Sequence, residues 1–129
     1  MSHVRIQSTG TDYAHRISTR HHALVADEPA ALGGQDQGMA PFDLYLASLA
    51  ACTAITLRMY AQKKGWDLGE FSAELSSERD ADGKLHVHRT LHASAALSDA
   101  QWERLLDVVA RTPVTLVMRE GATITSARA

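Results

Sequence analysis

Residues Pro41 to Trp66 read PFDLYLASLAACTAITLRMYAQKKGW, and this stretch decides the fold. Proline suits a first helical position, where its missing N–H would have no partner anyway. Asp43 suits the positive end of the helix dipole, and Gly65 after Lys63 and Lys64 is a C-terminal stop. The spacing predicts one helix, roughly 36 Å long at 1.5 Å per residue. Its first part is apolar nearly all round, with Leu44, Leu46, Leu49 and Ile55 pointing in several directions, so it has to be covered on all sides. The longest uncharged run, Leu44 to Leu57, is fourteen residues. A bilayer span needs roughly 20, so a core helix is expected and no membrane partner. The small residues Ala47, Ser48, Ala50, Ala51 and Ala54 let another helix approach closely. A second subunit would complete the cover, and a homodimer is expected.

Upstream of the helix the chain reads as short strands and turns. Val4 and Ile6, then Tyr13, His15 and Ile17, alternate around Ser8-Thr9-Gly10, and His22 to Ala26 forms a third strand. Asp27-Glu28-Pro29 stops that strand, because a residue before proline is pushed out of helical space. Gly33-Gly34-Gln35-Asp36-Gln37-Gly38 then reads as a flexible loop. It has the glycines of a phosphate cradle but lacks the Lys-Ser/Thr that would complete one.

Downstream, Phe71, Ala73 and Leu75 alternate with Ser72, Glu74 and Ser76, and Leu85, Val87 and Leu91 alternate with His86, His88 and His92. Asp80-Ala81-Asp82-Gly83 supplies the hairpin turn. A second helix begins at Ser98 with Gln101 as a capping box, and Leu97 is placed to staple onto Trp102. Its apolar stripe is Trp102, Leu105, Leu106 and Val109. Pro113 restarts a short helix through Met118, Gly121 ends it, and Ala122 to Ala127 reads as a last strand. Strands and helices are segregated, which favours an α+β fold with antiparallel sheet in one domain, residues 1–129.

The totals narrow the function. With 45% hydrophobic and 22% charged residues, the composition is that of an ordinary globule. A net charge of -2 without any lysine/arginine run argues against a nucleic-acid partner. MSHVRIQSTG lacks the apolar core of a signal peptide, and one cysteine cannot form an internal disulfide, so a cytoplasmic location is expected.

That cysteine, Cys52, is the first chemical candidate. At about 100° per residue its helix face also carries Tyr45, Ser48, Leu49, Ile55, Thr56 and Met59. In such mostly apolar surroundings a thiol is inert unless a cation is delivered from elsewhere in the fold. The plain alternative is a buried small hydrophobe. His86, His88 and His92 share a strand face at a spacing compatible with a metal, but no cysteine or carboxylate partner stands with them, and no metal is expected. His21 and His22, read as strand neighbours, would point to opposite faces.

The run Gly38-Met39-Ala40-Pro41-Phe42-Asp43-Leu44 through Ala51-Cys52-Thr53 resembles the OsmC/Ohr family of osmotically induced and organic-hydroperoxide-resistance proteins. So do the trailing Leu57-Arg58-Met59-Tyr60-Ala61, the hairpin, and Thr112-Pro113-Val114. The resemblance implies an intertwined homodimer, with curved antiparallel sheets around long central helices and a thiol site at the subunit interface. It implies reduction of organic hydroperoxides by a cysteine on the central helix, a second cysteine that closes a disulfide, and external dihydrolipoyl thiols that reopen it; no further cofactor is implied.

Cys52 stands at the first of those cysteines. The position of the second, just before a Pro-Val pair, is Thr112, which reads as a helix N-cap. Phe42 stands where active members carry a glutamate that helps hold a thiolate-polarising arginine of the first hairpin, and Asp43 reads as a first-turn acid that stabilises the dipole. The position of the family's polarising arginine aligns with Thr11, while Arg16 and Arg20 nearby read as solvated strand residues.

Two readings follow. In one, the chain is a one-cysteine thiol-dependent hydroperoxide reductase using Cys52 and an external thiol. In the other, it is a non-catalytic member of the fold that binds a small apolar molecule. Either would use a pocket lined by Phe42, Tyr45, Ser48, Leu49 and Met59. A guanidinium within hydrogen-bonding reach of the sulfur would favour the first reading.

Overall fold

The computed structural model describes residues 1–129. The chain forms two compact units, Met1–Tyr45 and Leu46–Ala129, and the boundary falls inside the long helix α1, Pro41–Lys64. Its ends lie where proline and the Lys-Lys-Gly stop place them. Asp43 adds a cap, its carboxylate accepting the Ala40 N–H at 3.0 Å.

In the first unit, β1 (Arg5–Ser8), β2 (His15–Thr19) and β3 (His22–Ala26) form an antiparallel sheet in that order, with Ile6 opposite Ile17 and Ile17 opposite Leu24. Thr19 pairs with His22, so the β2–β3 turn is only Arg20-His21, and Arg20 takes φ 51°, the left-handed value such a tight turn demands. Two expectations change here. Arg20 is a turn residue rather than a strand residue, and His21 lies off the strand. The His21 and His22 rings therefore sit 4.1 Å apart instead of on opposite faces.

The segment from Glu28 to Met39 is organised, not the flexible loop its glycines suggest. Asp27 is buried, and its carboxylate accepts the backbone N–H groups of Glu28 at 2.8 Å, Gln37 at 3.0 Å and Gln35 at 3.3 Å. The Asp27 N–H in turn donates to the Met39 carbonyl. These bonds, that of Gln37 foremost, hold the Asp27 carboxyl below the usual carboxylate value, against an opposing effect of burial. A Cβ at Gly34 would collide with the Glu28 carbonyl, and one at Gly38 with the Val25 carbonyl.

In the second unit, α1 buries Leu49, Thr53, Leu57 and Ala61, a strict i, i+4 row. Strands β4 (Phe71–Arg79) and β5 (Leu85–Ala93) pair in register from Phe71 opposite Ala93 to Arg79 opposite Leu85. Asp80 organises the turn, accepting the N–H groups of Asp82 and Lys84 and bonding His86 Nε2 at 2.7 Å. Helix α2, Asp99–Val109, starts with the expected capping box between Ser98 and Gln101. Helix α3, Pro113–Glu120, runs two residues past the expected end. Leu57, Ala61, Leu68, Leu105 and Val109 form the core, joined by Trp66, Phe71, Leu91 and Trp102. Full burial of a leucine stabilises by about 1.5–3 kcal/mol, so this cluster anchors α1 to the hairpin and α2.

One sequence reading is corrected by this unit. The strand expected at Ala122–Ala127 does not form: no strand pairs with residues 122–129, and Ile124 is exposed. An extended segment becomes a strand only when another edge takes up its N–H and C=O groups. By length and composition alone α1 is apolar enough to cross a membrane, a test that the core helix of a soluble protein also passes. Arg58 is anchored by a bond to the Gly69 carbonyl at 2.9 Å. Phe42, Ile55 and Met59 on this helix are all more than half exposed.

Candidate active site around Cys52

Cys52 sits in the middle of α1, half-buried and free. One turn on, Thr56 Oγ1 lies 3.8 Å from Sγ. The next residue, Thr53, is fully buried, and its hydroxyl donates to the Leu49 carbonyl at 2.8 Å. Buried hydroxyls in a helix satisfy themselves in this way, but Thr53 has a second partner. Arg89 Nη1 donates to Thr53 Oγ1 at 2.8 Å.

Arg89 arrives from β5 because of the pleat. Leu85, Val87, Arg89 and Leu91 occupy the half-buried positions of the strand, and His86, His88, Thr90 and His92 the exposed ones. A guanidinium thus takes an inward slot in an apolar alternation. It is received by three neutral oxygens: Thr53 Oγ1, Thr115 Oγ1 at 3.0 Å, and the Val109 carbonyl, reached by Nη2 at 2.9 Å. Val109 is the last residue of α2, and a cation at its carbonyl complements the negative end of that helix. The chain's ion pairs join Asp80 to His86, and Asp107 to both Arg104 and Arg111; none involves Arg89. Burial pulls the guanidinium below its usual value, and electrostatic interaction with Cys52 acts in the opposite sense.

Thr112, at the position of the family's second cysteine, belongs to the same group. It is buried at the N-cap of α3, but its hydroxyl makes no cap bond. It lies instead 2.6 Å from Thr115 Oγ1 and donates to the Val109 carbonyl at 3.4 Å.

Sequence reading passes over Arg89, although the signal is there: a charge at the inward position between Val87 and Leu91. Arg16 and Arg20, the arginines near the position of the family's polarising arginine, are both exposed. No guanidinium hydrogen-bonds the sulfur directly; the cation bonds the adjoining residue, Thr53. Of the residues expected to line a pocket, Phe42 and Tyr45 pack edge to face with ring centroids 6.0 Å apart. Ser48 is exposed and Leu49 buried. Met59 lines an open groove of about 440 Å³ with Ala54, Ile55, Arg58, Gln62 and Phe71. His88 and His92 are exposed on the outer strand face, where His86 is engaged by Asp80.

A family model described as OsmC-like protein matches residues 34–127. The chain is similar to a Psychrobacter arcticus protein described as osmotic stress induced and detoxification-responsive. That match has 21% identity and a TM-score of 0.79, covering 90% of this chain and 87% of that one. An OsmC-like protein from Mycoplasma pneumoniae gives 18% identity and a TM-score of 0.73, with 92% and 87% covered. The organic hydroperoxide resistance protein OhrB of Bacillus subtilis gives 21% and 0.63, with 92% and 90% covered. No curated protein matches by sequence. With α1, the β4–β5 hairpin and the Cys52–Arg89 group all inside the matched residues, the chain belongs to the OsmC family.

Proposed function

We propose that this protein is a one-cysteine, thiol-dependent reductase of organic hydroperoxides. The observation that carries this reading is the half-buried Cys52 next in sequence to Thr53, whose hydroxyl accepts from a guanidinium that no carboxylate neutralises. A thiolate is the nucleophilic form of cysteine, and a nearby cation favours it. The Cys52 sulfur attacks the outer oxygen of ROOH, the O–O bond breaks, and ROH leaves with a proton, so that the sulfur becomes a sulfenic acid. An external thiol then attacks that sulfur, releasing water and forming a mixed disulfide. A second thiol frees Cys52 and carries away the disulfide. Two external thiols are oxidised for each hydroperoxide reduced.

The working form in this proposal is a cytoplasmic homodimer, whose second copy covers the exposed Phe42, Ile55 and Met59. Ser48, Leu49 and Met59, on the same helix as Cys52, line the substrate's apolar part in this proposal. The test is consumption of cumene hydroperoxide with dithiothreitol or dihydrolipoamide as reductant: the wild type turns over and Cys52→Ser does not. Equal rates for the two proteins refute the reading. A monomer mass by light scattering at micromolar concentration refutes the dimer.

The apolar groove beside Ile55 and Met59, and the lack of a direct guanidinium bond to Sγ, favour a second reading, in which the same face binds a small apolar molecule without chemistry. Tight binding of such a molecule by a Cys52→Ser protein, with no turnover by the wild type, would establish it.

A further inference from the structure

We infer that Thr53 and Thr115, together with the Val109 carbonyl, form a charge-neutral cradle that presents Arg89 to Cys52 as an uncompensated cation, which makes the two threonines positioning residues for the thiol. This inference rests on the reading of Cys52 as the reacting group.

The three bonds come from three elements. Thr53 is on α1, Val109 ends α2, and Thr115 lies in the first turn of α3. Together they fix the plane of the guanidinium fork. The receiving hydroxyls are themselves pinned, Thr53 by its bond to Leu49 and Thr115 by Thr112 and the Val109 carbonyl. Thr53, Thr112 and Thr115 are all buried, at sites where the isosteric valine would pack without needing a partner. A plain core would also place an aliphatic residue at position 89, continuing Leu85, Val87 and Leu91. Three hydroxyls and a cation are tolerated there because each is hydrogen-bonded within the group, and no acid is spent on the charge.

The nature of the partners decides what that charge can do. Arg104 and Arg111 on the surface share Asp107, so a carboxylate offsets their field. Arg89 has only neutral acceptors, and neutral oxygens satisfy its N–H groups without cancelling its charge. The charge is therefore left to act on the thiol one residue from Thr53. Where the resemblance implies a carboxylate-held arginine from the first hairpin, this chain takes its cation from β5 and holds it without an acid.

The test compares alkylation of Cys52 by iodoacetate and iodoacetamide, reagents of similar size that differ in charge. A cation beside the sulfur favours the anionic reagent, so the ratio of the two rates reports local charge independently of general accessibility. Arg89→Gln is expected to lower the ratio about fivefold, the scale of a unit charge acting at about 4 Å with the screening of bulk water. Thr53→Val and Thr115→Val are expected to lower it about twofold by loosening the fork, and Thr115→Ser, which keeps the hydroxyl, to restore it. An unchanged ratio in folded Arg89→Gln overturns the inference, as does an equal shift in Thr115→Val and Thr115→Ser. Should Arg89→Gln fail to fold, the isosteric threonine variants carry the test. A protein with the expected ratios but no hydroperoxide consumption refutes the reductase and leaves the cradle standing. One that consumes hydroperoxide with ratios unmoved by the variants refutes the cradle alone.

Discussion

Arg89 Nη1 donates to Thr53 Oγ1 at 2.8 Å across 36 residues of sequence, tying the inward face of β5 to the middle of α1. Removing only the hydroxyl leaves a charged donor without its acceptor, so Thr53→Val is expected to cost about 2 kcal/mol. In an Arg89→Met background the same change should cost little, because no donor remains to be stranded. A double-mutant cycle by urea unfolding should therefore return a coupling of about 1–2 kcal/mol. Additive losses would mean that the bond contributes nothing.

Acid stability should depend on Asp27. Its folded pKa lies below the unfolded value, so the carboxylate contributes stability fully above about pH 3.9 and loses it as pH falls through the lower folded value. Asp27→Asn should be less stable than wild type at pH 7 and should close much of that gap at a pH below the lowered folded value. Urea midpoints at the two pH values check this. A constant difference between the proteins would show that the charge of Asp27 plays no part.

The loop that Asp27 organises should reject side chains at two glycines. Gly38→Ala drives a methyl into the Val25 carbonyl and Gly34→Ala into that of Glu28, so each is expected to cost about 2 kcal/mol or more. Gly10→Ala meets nothing within 4 Å and should change stability by less than about 0.5 kcal/mol. Thermal unfolding of the three variants ranks them directly.

Ser98 closes the first turn of α2, accepting the Gln101 N–H at 3.1 Å while the Gln101 side chain takes the Ser98 N–H at 2.8 Å. Ser98→Ala is expected to destabilise by about 1 kcal/mol, and Ser98→Asp by much less, because aspartate can serve the same donor and complements the dipole. Chemical denaturation with helical circular dichroism as the signal separates the two.

The features legible in the sequence are those settled by neighbours along the chain. Pro41, Asp43 and Gly65 mark the ends of α1, Asp80 to Gly83 marks the hairpin, and Ser98 with Gln101 marks α2, because each depends on residues within a few positions. Cys52 is legible as the chemical candidate through the surrounding family motif. Its cation was not legible, because Arg89 meets Thr53, Val109 and Thr115 only after the hairpin folds back; its one local trace is a charge at an inward strand position. Asp27 was hidden for a related reason. Asp-Glu-Pro looks like a wet turn, and only the path of residues 28–39 around the carboxylate buries it. Ala122 to Ala127 has the alternation of a strand, but alternation supplies no partner, and a strand is defined by its partner.

Cys52 is the chain's only sulfhydryl, which makes the folded protein its own single-channel reporter. Each covalent adduct, whether an alkyl group, one added oxygen or a mixed disulfide, changes the mass of the intact chain at one address and needs no mapping. Two copies of the chain can be joined through sulfur at this position and at no other. An intact-mass spectrum taken during turnover would therefore read out the oxidation state of the site directly, chain by chain.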